Sequence, residues 1–240
     1  MQTSVEIMLM DSAAGAPPEQ ELLSRLHPLE QSRYRTFTHA GRRRSWLAGR
    51  ALMLAALARV SGVVDAAALR TAESGAVRYR DGTLNLSLSH SRDLMAVALS
   101  SAAVGLDIEW PKPRISVDMA ERVYSPPEAA WLDTLPEDER RDAFYSLWTL
   151  KEAVCKAAGL KLGECLRHAC FDIEAGSFTP EPPLPPGPWA CMHTRLDGGF
   201  RMTLTLQGDV APLQVDCWRL TAPGEWRQEA LVQPAFIYAR

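Results

Sequence analysis

Along the 240 residues of the chain, hydrophobic positions switch between two periods. Val5, Ile7 and Leu9 alternate with their neighbours, the period-two signature of a strand. Pro17-Pro18 then introduces a helix through Leu22, Leu23 and Leu26. A longer helix is predicted over Arg42 to Val60, stopped by Ser61-Gly62. Val77 and Tyr79, then Leu84, Leu86 and Leu88, alternate again, with Asp81-Gly82 supplying the turn between them. Leu94 to Leu99 and Ala103 to Ile108 are the next strand candidates.

The second half repeats this grammar. Ser125-Pro-Pro-Glu128 has the form of a helix start, with a capping Ser, Pro in the first turn and Glu three residues on. Pro136 to Ala158 is the strongest helix of the chain: Phe144, Leu147, Trp148 and Val154 make an apolar stripe, and Gly159 suits the C-cap. Strands are expected at Ala169–Ile173, Trp189–Thr194, Phe200–Leu206 and Leu213–Leu220. The proline run from Pro180 to Pro188 reads as a stiff surface connection. The expected architecture is α+β: two similar halves in a pseudo-dimer, residues 1–103 and 104–240. Each is a small antiparallel sheet with packed helices, and the active site is expected in the cleft between them.

Composition narrows the classes. With 47% hydrophobic and 23% charged residues the chain is globular, and it is long enough for one large domain or two small ones. Lys plus Arg number 26 against 29 Asp plus Glu, a net charge of −3, which argues against nucleic acid as partner. No apolar run approaches the roughly 20 residues of a membrane span, and the N-terminus lacks the basic start of a signal peptide. The five cysteines (Cys155, Cys165, Cys170, Cys191 and Cys217) form no CxxC pair, a usage that fits reduced thiols in the cytoplasm. Cys165 and Cys170 bracket His168, but a metal site there lacks a fourth ligand at sensible spacing.

Four constellations carry candidate chemistry. In Val104-Gly-Leu-Asp-Ile-Glu109, strand alternation puts Asp107 and Glu109 on one face and Leu106 and Ile108 on the other. Close carboxylates repel unless protonated or bridged by a cation, so this is either a solvated acidic strand end or part of a Mg²⁺ site. On the long helix Glu152 and Lys156 are four apart on the face of Trp148, with Lys151 one position round. They form either an ordinary surface ion pair or a third metal carboxylate beside cations for phosphate. Leu84 to Arg92 runs a strand into a polar loop where Ser89, His90 and Ser91 could cradle an anion. Finally Arg33, Arg35, Arg42, Arg43, Arg44 and Arg50 crowd one stretch, either a solvated helix face or forks for phosphate.

The order and wording of three of these segments carry more than each alone. Ser-Leu-Ser-His-Ser (87–91), then Val-Gly-Leu-Asp-Ile-Glu (104–109), then the segment 144–159 with Trp148, Lys151, Glu152 and Lys156 in a W-x-x-K-E-x-x-x-K pattern resemble the 4′-phosphopantetheinyl transferases. The likeness is to their longer, surfactin-synthetase-activating type. It is dense from Leu84 to Gly159, thinner over Pro28 to Leu54, and not seen beyond Leu160.

That resemblance implies transfer of the phosphopantetheine arm of coenzyme A to a serine of an apo acyl or peptidyl carrier protein, releasing adenosine 3′,5′-bisphosphate. Asp107, Glu109 and Glu152 would hold Mg²⁺ against the pyrophosphate. Lys156 would contact the phosphate under attack, with Lys151 supporting it, and Glu152 would be the candidate base. Ser89 and His90 would meet the 3′-phosphate. Relatives carry an Arg where this chain has Ser45, so Arg44 or Arg43 is the substitute, with Arg44 preferred and Arg35 a further candidate. The Gly-Lys-Pro of many relatives is replaced by Ser74-Gly-Ala-Val-Arg78. A cytoplasmic monomer is expected. The alternatives are a non-catalytic carrier-protein or anion-binding module, and a metal-dependent phosphohydrolase, for which paired carboxylates also serve.

Overall fold

The computed structural model describes residues 3–12, 18–62, 64–72, 75–79, 84–112, 117–208 and 213–239. Pro17, Ser74, the Asp81-Gly82 turn and Ser116 lie outside them. In chain order the elements are β1 (Thr3–Asp11), α1 (Glu19–Arg25), α2 (Pro28–Arg35), α3 (Ala40–Ser61), β2 (Leu69–Thr71), β3 (Val77–Tyr79), β4 (Leu84–Ser91) and β5 (Leu94–Ser100). There follow β6 (Ala103–Glu109), α4 (Val117–Val123), α5 (Pro126–Thr134), α6 (Glu137–Ala158), α7 (Leu162–Cys165), β7 (Ala169–Asp172) and β8 (Ser177–Pro180). The chain closes with β9 (Trp189–Arg195), β10 (Arg201–Gln207), β11 (Leu213–Ala222), β12 (Glu225–Gln228) and β13 (Val232–Ala239).

Two compact units result, each an α+β layer pair. One is Ser4–Ser101 with Gln214–Ala230, the other chiefly Ala102–Leu213 with Leu231–Arg240. In the first, strands in the order β12-β11-β1-β5-β4-β3-β2 make a sheet against which α3 packs. Leu52, Met53 and Leu57 of the helix meet Met8, Met10, Val97 and Leu99. In the second the order is β6-β10-β9-β13-β8-β7, and Leu147, Leu150 and Val154 of α6 share a core with Trp189, Cys191 and Ile237.

Several expectations are corrected here. Strands β11 and β12 fall within the second half by chain position but add to the first sheet beside β1. They cover a strand edge that would otherwise stay unpaired, and a strand's own alternation does not name its partner. The sheets are not wholly antiparallel, because β13 runs parallel to β8 where Tyr238 faces Ser177. β13 itself is absent from the pattern-based expectation: Pro234 interrupts it, and its register with β9 shifts between Val232 and Ala235. The proline run is not wholly a surface connection, since Leu184 within it is buried. Nor are all five cysteines free thiols: Cys155 and Cys165 are paired, with Cα atoms 5.9 Å apart.

Other expectations hold closely. Gly159 caps α6 in the left-handed conformation at φ 69°. At the start of α5, Glu128 accepts from both the Ser125 N–H and the Ser125 hydroxyl, each at 2.8 Å. Among the described residues, no helix is long and apolar enough to cross a membrane.

Candidate active site

The second unit carries the carboxylates and lysines singled out by the sequence. On β6, Val104, Leu106 and Ile108 are buried on one face, which leaves Gly105, Asp107 and Glu109 on the other. Helix α6 lies across that second face. A Cβ at residue 105 would overlap the Ala153 carbonyl oxygen and stand 2.6 Å from the Ala157 nitrogen, so glycine lets helix backbone rest directly on strand backbone. This close seat brings Glu152 and Lys156 beside Asp107.

The Lys156 ammonium donates to Asp107 Oδ1 at 2.7 Å and to the Leu106 carbonyl at 3.0 Å, and stands 3.5 Å from Glu152 Oε2. Asp107 is buried, whereas the Glu152 and Lys156 side chains keep 20% and 30% of their surface open, enough to meet a ligand. Burial, and next the Asp107 charge, push the Glu152 carboxyl up to about 7, although Lys156 pulls the other way. Burial works against the Lys156 charge, but Asp107 and then Glu152 outweigh it and hold the ammonium above its ordinary value. Glu109 is half-buried at the end of β6, across from Arg201 on β10, and adds to the repulsion felt by Glu152.

The structure does not bring Lys151 into this group. It is fully buried, paired with Glu128 Oε2 at 2.7 Å, and donates to the carbonyls of Leu166 and Ala169, each at 2.7 Å. An ammonium has three hydrogens, and these partners use all of them, which leaves none for a phosphate. Glu128 also accepts from the Phe171 N–H at 2.9 Å. The pair thus ties α5, α6 and β7 together.

In the first unit the arginine run divides in the same way. Arg50 is buried, paired with Glu30 at 2.8 Å, bonded to Thr71 Oγ1 at 2.7 Å and stacked over Trp46. Arg43 donates to the Phe37 carbonyl at 2.7 Å and lies over Tyr34. Arg44 and Arg35 are exposed. The first turn of α3 carries no acidic residue. Cations crowded at the positive end of a helix dipole are unfavourable by about 0.3–1 kcal/mol each, so an anion there relieves both.

Ser89 and His90 do not form the expected loop. Strand β4 continues through Ser91, so the two side chains point to opposite faces. Ser89 is buried and His90 exposed, the latter on the face whose Leu88 touches Gly49 of α3.

The three expected metal carboxylates are not a ready-made cage: among the described residues, no group of three or more His, Cys, Asp and Glu side chains is placed to hold a metal ion. The donor chemistry still suits a hard cation. Mg²⁺ usually takes one or two protein carboxylates and completes its shell with water and substrate phosphates. Burial first, and then the charges of Asp107 and Glu109, disfavour the ionised Glu152 carboxyl, and a bound cation would offset both.

The same strand and helix carry the likeness to known proteins. The model of the 4′-phosphopantetheinyl transferase superfamily matches residues 103–197, the stretch that holds Asp107, Glu109, Glu152 and Lys156. Over these residues the chain is similar to that superfamily. The chain is 28% identical over 199 residues to the 4′-phosphopantetheinyl transferase Sfp of Bacillus subtilis, covering 81% of this chain and 88% of the relative. It is 29% identical over 152 residues to another 4′-phosphopantetheinyl transferase from Bacillus subtilis, 62% of this chain and 67% of the relative. To the transferase AcpT of Salmonella typhi it is 38% identical over 121 residues, 49% of this chain but only 60% of the relative. Within the stretch 103–197, Asp107, Glu109, Glu152 and Lys156 fall on one strand, β6, and the helix seated on it.

Proposed function

We propose that the protein transfers the 4′-phosphopantetheine arm of coenzyme A to a serine of an apo acyl or peptidyl carrier protein. The observation that carries this reading is the Asp107–Lys156–Glu152 group, partly open to solvent and built on the residues that match the superfamily. In this reading the serine oxygen attacks the β-phosphorus of the coenzyme A pyrophosphate. The bond from that phosphorus to the bridging oxygen breaks, and adenosine 3′,5′-bisphosphate leaves.

Positioning and charge stabilisation carry most of the catalysis in such a transfer. Lys156, held charged by its two carboxylate neighbours, donates to the oxygens on which charge accumulates. Glu152, beside Lys156 and partly open to solvent, is the candidate to accept the serine proton. Arg44 and His90 take the 3′-phosphate; Ser89, pointing away from His90, is left out of that contact. Asp107, Glu109 and Glu152 are the residues that would hold Mg²⁺, which when bound supplies charge neutralisation at the pyrophosphate. A monomer completes the proposal; the cytoplasmic expectation rested on reduced thiols, and Cys155 and Cys165 are paired.

Intact-mass spectrometry of an apo carrier incubated with the protein, coenzyme A and Mg²⁺ tests it. A gain of one phosphopantetheinyl group, abolished by chelator and reduced at least a hundredfold in Asp107→Ala, is the expected result. No gain on acyl, polyketide or peptidyl carriers, despite coenzyme A binding, supports a non-catalytic module instead. Hydrolysis of coenzyme A without a carrier points to a phosphohydrolase.

The Glu152 carboxyl also makes a pH prediction. The folded chain keeps this proton up to about pH 7, whereas an unfolded one releases it near the ordinary 4.5. The folded state therefore binds more protons between those values, and its stability falls as pH rises through that window. Thermal midpoints measured in chelator should drop between pH 5 and 8 by more in the wild type than in Glu152→Gln.

A further inference from the structure

Beneath α6 lies a set of polar side chains to which the proposed chemistry gives no task. Thr203 on β10 stands directly across from Asp107 on β6 and from His193 on β9, so these three residues form one transverse row on the face that α6 covers. Thr203 and Thr149 are fully buried. Thr149 precedes Glu152 by three residues and Lys156 by seven, which places all three on one side of the helix. His193 Nδ1 is 2.9 Å from Thr203 Oγ1, Thr203 Oγ1 is 3.0 Å from Thr149 Oγ1, and Thr149 Oγ1 is 3.0 Å from the Ser146 carbonyl.

The direction of this chain is forced by its last acceptor. A carbonyl oxygen can only accept, and each hydroxyl has a single hydrogen to give. Thr149 therefore donates to Ser146, Thr203 donates to Thr149, and Thr203 in turn accepts from His193. The imidazole must carry its hydrogen on Nδ1. Burial, with a lesser push from Arg195, holds the His193 pKa down to about 4, so the ring is neutral near pH 7.

We propose that His193, Thr203 and Thr149 are positioning residues whose one-way hydrogen-bond chain sets the rotation of α6 above Asp107. It thereby sets the spacing of Glu152 and Lys156 from that carboxylate. The backbone seat at Gly105 holds α6 on β6, while the Lys151–Glu128 pair and the apolar core of Leu147, Leu150 and Val154 hold its other sides. The threonine pair adds a directional anchor one strand over, on β10. Two anchors on neighbouring strands define the helix direction, and a hydroxyl-to-hydroxyl bond is directional where apolar packing is not. This inference rests on the reading of Asp107, Glu152 and Lys156 as the working site.

Three measurements on the full chain test it. Nitrogen-15 spectra of the imidazoles, with His193 assigned through His193→Gln, report the tautomer. Manganese(II) titration followed by paramagnetic resonance reports the carboxylates without any substrate. Carrier modification reports kcat and the KM for coenzyme A. The wild type should show the Nδ1–H tautomer. Thr203→Val should lose at least tenfold in kcat and at least fivefold in manganese affinity, with KM changed less than kcat. Thr203→Ser, which keeps the hydroxyl, should stay within twofold of wild type on all three. Thr149→Val and Thr149→Ser repeat the comparison from the helix side if Thr203→Val does not fold.

An Nε2–H tautomer in the wild type overturns the chain. A Thr203→Val protein that is less stable yet keeps kcat and manganese affinity within twofold reduces it to ordinary packing and overturns the positioning role. A wild type that shows the Nδ1–H tautomer but neither binds manganese nor modifies a carrier overturns the reading of the site. The positioning role falls with that reading, and the tautomer shows which of the two failed.

Discussion

The two long helices, α3 and α6, each span 22 residues and are built into their units by the same device. In the first unit Arg50 of α3 is buried against Glu30 of the preceding helix, and Glu30 also accepts from the Thr71 N–H of a strand at 2.8 Å. In the second, Lys151 of α6 is buried against Glu128 of α5, and Glu128 also accepts from the Phe171 N–H. One carboxylate thus joins short helix, long helix and strand in both units. The helices differ at their starts. Glu137, Asp138 and Glu139 open α6 in accord with its dipole, whereas Arg42, Arg43 and Arg44 open α3 against it. The lesson is about cations: those fully enclosed are scaffold, and those left partly open, Lys156 and Arg44, are available to a ligand.

The largest test of this parallel removes a clamp cation. Lys151→Met or Arg50→Met leaves a buried carboxylate without its partner, a loss of roughly 3–5 kcal/mol. Urea unfolding should show similar losses for both, and adding Glu128→Gln to Lys151→Met should recover part of the stability. Were Lys151→Met to abolish coenzyme A binding in a protein of unchanged stability, the scaffold reading would be lost.

The next test separates the two glycine seats. At Gly49 an added Cβ meets the Leu88 side-chain end at 2.7 Å, a group that can turn aside, whereas at Gly105 it meets backbone. Gly105→Ala should cost about 3 kcal/mol, the upper range for overpacking. For Gly49→Ala, the roughly 1 kcal/mol helix preference of alanine over glycine offsets most of the strain, and the net change should stay under about 1 kcal/mol. Equal losses by calorimetry would erase the distinction.

The smallest stability effect belongs to the helix starts. Arg44→Glu should stabilise α3 by about 0.3–1 kcal/mol through the dipole while raising the KM for coenzyme A at least tenfold. An unchanged KM would remove Arg44 from the 3′-phosphate and leave Arg35 as the next candidate.

Much of this architecture is legible in the residue pattern. The residue pattern places both long helices within two residues at either end: Gly62 and Gly159 stop them, and α6 turns an apolar stripe to its core. Alternation puts Asp107 and Glu109 together and Leu106 and Ile108 inward. Lys151 is the misleading residue, although its position carries a warning. At about 100° per residue it is turned roughly 140° from Lys156, so the two lysines cannot serve one ligand from one helix face. Its partner Glu128 lies 23 residues away, and no local spacing names such a partner. Ser89 and His90 read as a loop because polar residues often end strands, but the ladder with β5 carries them on to Ser91.

Sequence alone determined what short-range periodicity can encode: the helices, most strands, the carboxylate face of β6 and the Glu152–Lys156 pair. Tertiary structure decided which elements meet. It added β11 and β12 to the first sheet, enclosed Arg50 and Lys151, seated α6 on Gly105, and joined Thr149, Thr203 and His193 from three elements. Those outcomes depend on contacts between residues far apart in the chain. A side chain's own neighbours in sequence fix which way it points, but not what it meets there.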